Sequence, residues 1–378
     1  MAAQTHAVHI DRRKPLRDEP HTGHNRWHPD IPPVLRVDPG DTVVLETRDA
    51  LDGAVTPDST GADLGRVDLN LVHPLTGPVF INGAEPGDLL EVQILDIAPQ
   101  PFGFTTIVPG FGFLRDFFPS PFLVKWTIAG GFAVSPDLPG VQIPGGPFMG
   151  VMGVAPSREL LARLTARENE LLHRGGAVLP PSPLGAVPAV EPIASESLRT
   201  IPPRETGGNF DIKQLTAGTT LLLPVYVPGA LFSAGDSHFA QGDGESCGTA
   251  VEMGATLTVR FGLRKGVAAQ RRIQRPQYER GDYFIEPRFA VPRRFFATTG
   301  MPITRDGRNE SENVTLAAQD ALLNMIDYLM AERGYSREQA YVLTSVAVDL
   351  RISELVDVPN VVVSAFLPLD IFEEGAGS

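Results

Sequence analysis

Three stretches decide the fold: VDPGDTVVLE (37–46), AEPGDLLEVQILDI (84–97) and LTAGTTLLLPVYV (215–227). Each runs a glycine-containing turn directly into an apolar strand. In the first two, proline before glycine is the signature of a type II turn, in which glycine takes the φ > 0 position. The residues that follow read as strands by β-branched content and partial period-two alternation; Leu90, Val92 and Ile94 share one face, Glu91 and Gln93 the other. Further strands are expected at 255–261 (ATLTVRF) and 361–367 (VVVSAFL). The recurrence is too irregular for a solenoid. It suits a mainly β fold, a β-sandwich whose strands come from distant parts of the chain.

Helices are few. In 157–176, Ser157 is the expected N-cap, leucines recur at 160, 161, 164, 171 and 172, and Gly175 and Gly176 are the stop. A second helix is expected over 316–333, ending at Gly334, and a third over 337–351 behind a Ser336/Gln339 capping box. A strand follows, so the C-terminal part reads as α+β. The expected organisation is a sandwich core from residues 1–97 with 207–262, a small β insertion over 98–206 with one helix and a Pro-rich loop, and an α+β part over 263–378. Segment 178–206 holds seven prolines and reads as irregular, and the Arg-rich stretch 264–294 as a solvated surface excursion.

Composition narrows the function classes. The 378 residues are 42% apolar and 20% charged, enough to bury a sizeable core. With 38 glycines and 35 prolines, the chain suits many short strands joined by turns rather than a helical bundle. No apolar run approaches the ~20 residues that span a bilayer, and the first residues carry no hydrophobic signal region. The net charge of −13 argues against nucleic acid or an anionic membrane as partner. One cysteine, Cys247, allows no internal disulfide framework and fits a reducing cytoplasm.

The densest polar cluster is LFSAGDSHFAQGDGESCGTAVEMG, residues 231–254, with Asp236, His238, Gln241, Asp243, Glu245, Cys247 and Glu252. Its glycines let a short loop turn several carboxylates and an imidazole toward one point. Carboxylate oxygen with imidazole nitrogen is a ligand set for zinc and related divalent ions. A carboxyl in such acidic company also suits general acid–base work. The bland reading is an Asp/Gly-rich hairpin loop whose carboxylates cap backbone N–H groups. GESCG (244–248) matches the Gly-x-Ser-x-Gly elbow around Ser246, but no strand precedes it and no helix follows, as that motif requires. Cys247 as nucleophile needs a neighbouring base, and no spacing places Lys125 or Lys213 beside it.

Three weaker patches accompany the loop: HTGHNRWHPDIPP (21–33) with His21, His24 and His28; RVDLNLVHPLTGPVFINGAEPGD (66–88) with Asp68, His73 and Asn82; and GGNFDI (207–212) with Asn209 and Asp211. For the first, the bland expectation is an extended segment that packs Trp27 and leaves its imidazoles exposed.

Taken in order, these patches resemble the acetamidase/formamidase family, from HNRWHPDIPPVLRVDPGDTV through HPLTGPVFINGAEPGD and PGVQIPGGPFMGVMGVAPS to GGNFDIKQLTAGTTLLLPVYVPGALFSAGDSHFAQGDGE. The resemblance implies hydrolysis of short aliphatic amides to a carboxylate and ammonia, a sandwich with a smaller barrel-like insertion, homo-oligomers, and divalent metal near the Gly235–Glu245 loop. Zinc is the cofactor expected first, with calcium as the alternative. HNRWHPDIPP and GFGFLRDFF (110–118) are similar to the formamidase branch, whereas PGGPFMGVMG departs from it.

On these grounds Asp236, His238 and Glu252 are the expected metal ligands. Asp236 and His238 are separated by one residue, so both side chains point to the same side of an extended strand end, and Glu252 lies in the next strand. Glu245 or Asp243 would then act as base and proton shuttle, and Asn209, Gln241 and His73 would meet the small-molecule amide. Two other functions stay open: an amidase using Cys247 or carboxylates without metal, and a non-catalytic sandwich that binds a small ligand.

Overall fold

The computed structural model describes residues 3–282 and 294–373; residues 283–293 of the Arg-rich stretch lie outside the described residues. The fold is mainly β, built on one 15-stranded, largely antiparallel sheet. Its centre is the pairing of the long strand Leu89–Ile107 with Glu252–Arg264 along nearly the whole length of both. Their outer edges take different partners along the way. Thr220–Pro224 pairs with residues 89–93 of the first, and Thr42–Thr47 with residues 255–260 of the second. The three turn–strand segments therefore meet in one sheet, because each presents a pleated apolar face that only a shared core can cover.

The main path continues from Glu252–Arg264 to Phe232–His238, then to Phe148–Gly153, then to Gly207–Asn209. Of residues 98–206, expected as a small β unit of their own, the strands from Phe122–Ala129 to Phe148–Gly153 lie in this same sheet, while Leu198–Arg199 pairs with Arg26–Trp27 in a separate two-stranded one. Leu89–Ile107 runs past residue 97 without a break and pairs at its far end with Phe122–Ala129, while Phe148–Gly153 sits between Phe232–His238 and Gly207–Asn209.

The first helix, Arg158–His173, starts where expected, with the Ser157 hydroxyl accepting from the Leu160 N–H. Val314–Arg333 ends at Gly334 in the left-handed region, φ 68°. Arg337–Ala347 carries the expected Ser336/Gln339 capping box but stops four residues short of 351. Asp349–Glu354 leaves it as a strand and pairs with Val362–Pro368, which pairs in turn with Phe295–Gly300. The long helix Val314–Arg333 covers this three-stranded sheet, with Phe296 stacked on Tyr328 at 3.6 Å between ring centroids.

The helix Arg337–Ala347 matters for the site because its polar residues grip the acidic loop. The Ser345 carbonyl accepts from the Gly242 N–H at 2.8 Å, the Ser345 hydroxyl accepts from the Cys247 N–H at 3.0 Å, and Thr344 bonds the Ser246 hydroxyl at 2.9 Å. The Tyr341 hydroxyl donates to the Ser246 carbonyl. At Gly242 any side chain would collide with Val348, 2.2 Å from its carbonyl oxygen. The loop thus lies flat on the C-terminal part, and Glu245 is held at its tip.

Candidate active site

The strand pairing assembles the cluster. His238 and Glu252 are directly opposed in the antiparallel register, so their side chains share one face. His238 Nε2 lies 3.2 Å from Glu252 Oε1 and 3.2 Å from Asp236 Oδ1. One ligating atom from each of the three lies within 4.8 Å of the other two, and all three are buried. Two further carboxylates close in: Asp211 and Glu245 form a second such group with His238. His73 stands behind Asp236, 3.7 Å from Nε2 to Oδ2, with its Nδ1 3.3 Å from the Thr200 hydroxyl.

Backbone strain concentrates here. Eight non-glycine residues among those described have positive φ, and three of them are Asp211 (50°), Asp236 (56°) and Glu245 (42°). That region is sparsely populated by L-residues and recurs where a side chain must be aimed against local preference. At Asp236 the simple alternation of an extended strand does not hold, yet its carboxylate still meets His238.

Two buried carboxylates, Asp236 and Glu252, two half-buried ones, Asp211 and Glu245, and two imidazoles share this space, with no lysine or arginine among the atoms that define it. Burial and the neighbouring Asp236 charge push Asp211 up to about 7. Burial, against the opposing pull of His238, pushes Glu252 up to about 7 as well. Burial and the Asp211 charge take Glu245 well above the carboxylate range. For His238, Glu252 and Asp236 outweigh burial and raise it well above an ordinary imidazole. Burial opposes the ionised form of Asp236 too, but His73 and His238 hold its carboxyl below the usual range. Burial pulls His73 down. The cluster carries more negative charge than its imidazoles balance, so protons or a cation must make up the difference.

The donor set fits a divalent ion. Glu252 Oε2 and Asp211 Oδ1 are buried and make no hydrogen bond. The Gln241 amide nitrogen donates to the Asp211 carbonyl at 2.8 Å, so its oxygen faces His238 Nδ1, 2.9 Å away. Nδ1 therefore keeps its proton, so that once the Nε2 proton is displaced the Nε2 lone pair serves a ligand between the carboxylates.

The other expected residues fall as follows. Gln241 bonds His238 and Asp211 rather than open space. Asn209 ends its strand opposite Val151, and its Oδ1 is buried without a partner. Asp243 does not join the cluster: Lys213 lies 3.8 Å from it, and its backbone binds Asp349 and Leu350. Cys247 is fully buried, its sulfur 3.4 Å from the Thr106 carbonyl, and burial pushes its thiol up. Lys213 pairs with Asp349, and Lys125 binds the Pro57 and Ser59 carbonyls, so neither serves Cys247. Ser246 sits in a turn of the loop and bonds Thr344, which is not an elbow. In the histidine-rich segment only His21 is exposed; His24 bonds Ser233 at 2.7 Å and His28 accepts from the Asp30 N–H. Burying two of those imidazoles corrects the expectation that they face solvent. Asp68 caps a short helix and Asn82 bonds Asp38, both apart from the cluster.

The family model described as the acetamidase/formamidase family matches residues 9–374. The chain belongs to that family. It is 37% identical over 362 residues to the acetamidase of Mycolicibacterium smegmatis, covering 88% of this chain and 87% of the relative. Identity to the formamidase of Methylophilus methylotrophus is also 37%, over 370 residues, covering 93% of this chain and 89% of the relative. The solved structure of a gamma lactamase from Delftia acidovorans superposes with a TM-score of 0.92 at 38% identity, covering 98% of this chain and 94% of that one. The chain is thus an amide hydrolase. Among the described residues, no helix is long and apolar enough to cross a membrane.

Asp211 joins the cluster with only the GGNFD run to mark it in sequence: Gly207 and Gly208, at φ 98° and 102°, let that strand pack closely on Phe148–Gly153.

Proposed function

We propose that this amidase cleaves the C–N bond of small amides with a divalent cation, zinc before calcium, held by Asp236, His238 and Glu252. The observation that carries the reading is the His238–Gln241 bond, which presents an imidazole lone pair to two carboxylates, one of them with an oxygen that has no other partner. When bound, such an ion polarises an amide carbonyl and lowers the pKa of water.

The chain's own residues supply the rest. Glu245 lies at the loop tip with 15% of its side chain exposed, the best placed of the carboxyls to take a proton from water and return it to the departing nitrogen. The unpartnered Asn209 Oδ1 is an acceptor suited to the amide N–H2 group. His73 and Gln241 steady Asp236 and His238. Depth of burial keeps bulk water from competing with these contacts.

A second substrate reading, a cyclic amide, is favoured by the likeness to the gamma lactamase. We also propose a two-layer sandwich arrangement of the strands, a homo-oligomer and a cytoplasmic location. A panel of linear amides assayed for ammonia, and of γ-lactams assayed for the ring-opened amino acid, distinguishes the substrates. Turnover of linear amides with inert lactams supports the first reading, the reverse supports the second, and no turnover of either contradicts both.

A further inference from the structure

Gly150 lies in the middle of the strand Phe148–Gly153, on the floor of the cluster, and it touches the site in two ways. Its carbonyl accepts from the Phe210 N–H at 2.9 Å and from the Asp211 N–H at 3.3 Å. These bonds pin the turn in which Asp211 takes φ 50° and turns its carboxylate inward. Its missing side chain leaves the remaining space. A methyl carbon there would stand 2.6 Å from Asp211 Oδ1, 2.7 Å from Asp236 Oδ2 and 3.0 Å from His238 Cε1. Carbon does not approach oxygen that closely without displacing it. The three atoms belong to three different segments, so a methyl group would push on all of them together.

The φ of Gly150 is not in the left-handed region, so the backbone there does not itself call for glycine. The strand runs between two partners, Phe232–His238 and Gly207–Asn209, and Val151 at the next position fits without difficulty. The three atoms nearest to an added methyl all belong to the site. Asp211 Oδ1, the nearest of the three atoms, is also one of the buried oxygens without a hydrogen-bond partner.

We propose that Gly150 is a positioning residue that keeps the ligand space of the cluster open and fixes the Asp211 carboxylate at its edge. This rests on the metal reading above. Gly150→Ala should fold and lose at least tenfold in cobalt(II) affinity, read from the visible absorption of the full chain titrated with cobalt(II) alone. A Gly150→Ala protein with wild-type cobalt affinity and wild-type turnover overturns the proposal. A wild type that binds no cobalt and still turns over contradicts the metal reading instead, and is thereby distinguished.

Asp211→Gly supplies a second route should Gly150→Ala be unstable, since glycine suits the backbone at 211 and removes the nearest clashing oxygen. The proposal predicts that Gly150→Ala lowers the melting temperature of Asp211→Gly by less than it lowers that of the wild type, with a residual loss because Asp236 Oδ2 still faces the added methyl. Equal losses in both backgrounds, or failure to fold in both, mean that the added methyl does not act through the Asp211 carboxylate and overturn the proposal.

Discussion

His238 Nδ1 and Gln241 Oε1 lie 2.9 Å apart, and the direction of that bond is fixed from outside, by the Asp211 carbonyl that takes the Gln241 amide hydrogen. Gln241 therefore sets the tautomer of His238 rather than reaching for substrate. Removing such a partner costs 10–100-fold in metal affinity in comparable sites. Gln241→Ala should weaken zinc binding by about that factor, measured by chelator competition, with the fold retained by circular dichroism. Unchanged affinity would show that Nδ1 does not need this acceptor.

The raised carboxyls give a pH dependence with a definite sign. Asp211 and Glu252 keep their protons in the fold up to about 7, whereas unfolded carboxyls ionise near 4. Between those limits the native state holds more protons than the unfolded one, so the metal-free protein should lose stability as pH rises from about 4.5 to 7. The raised His238 acts in the same direction above about 6.5. Asp236, whose carboxyl is depressed, contributes stability that is lost only at more acidic pH. Because zinc must displace the same protons, its binding should strengthen over the same range. Melting temperatures with and without zinc at pH 5 and pH 8 check both; a zinc stabilisation that does not grow with pH would contradict the protonation scheme.

The two acidic residues of the loop should part company on mutation. Glu245→Gln is expected to keep the fold and lose turnover by roughly 10²–10⁴-fold, the usual size of a general acid–base contribution. Asp243→Asn should stay within about tenfold, since Asp243 faces Lys213 and Asp349. Ammonia release from the two variants decides, and the reverse ranking would move the proton-transfer role to Asp243.

Cys247 is sealed under the helix Arg337–Ala347, with its sulfur against backbone carbonyls and no base beside it. Cys247→Ala should keep turnover within about tenfold, a barrier change of no more than ~1.4 kcal/mol, and lose some thermal stability. A loss of three orders of magnitude in a folded variant would point to a thiol mechanism.

Much of this was legible in the sequence because it is written in local chemistry. Pro39–Gly40 and Pro86–Gly87 mark turns by backbone preference alone, and the strands after them have to share a core. The i, i+2 spacing of Asp236 and His238 suggested a common direction. Other features depend on distant pairing. The helix after Ser336 ends at Ala347 because Asp349–Glu354 finds Val362–Pro368 to bond, and nothing within 337–351 announces that partner. Asp211 lies 25 positions before Asp236, and only the Gly207–Asn209 strand pairing with Phe148–Gly153 brings it to His238. Asp243 reads like Glu245 in sequence, but Lys213 claims one and the cluster the other. Gly150 offers no chemistry to read, since its part is to be absent from a space that other segments create.

If the carboxylate–imidazole cluster works with a divalent ion, turnover must depend on that ion. Purified protein should carry close to one divalent ion per chain. Exhaustive chelation should abolish ammonia release from its best amide, and added zinc should restore it, while His238→Ala and Glu252→Ala should fold, hold no metal and stay inactive in excess zinc. Full turnover by demonstrably metal-free protein would contradict the claim and return the four carboxylates to direct acid–base or structural roles.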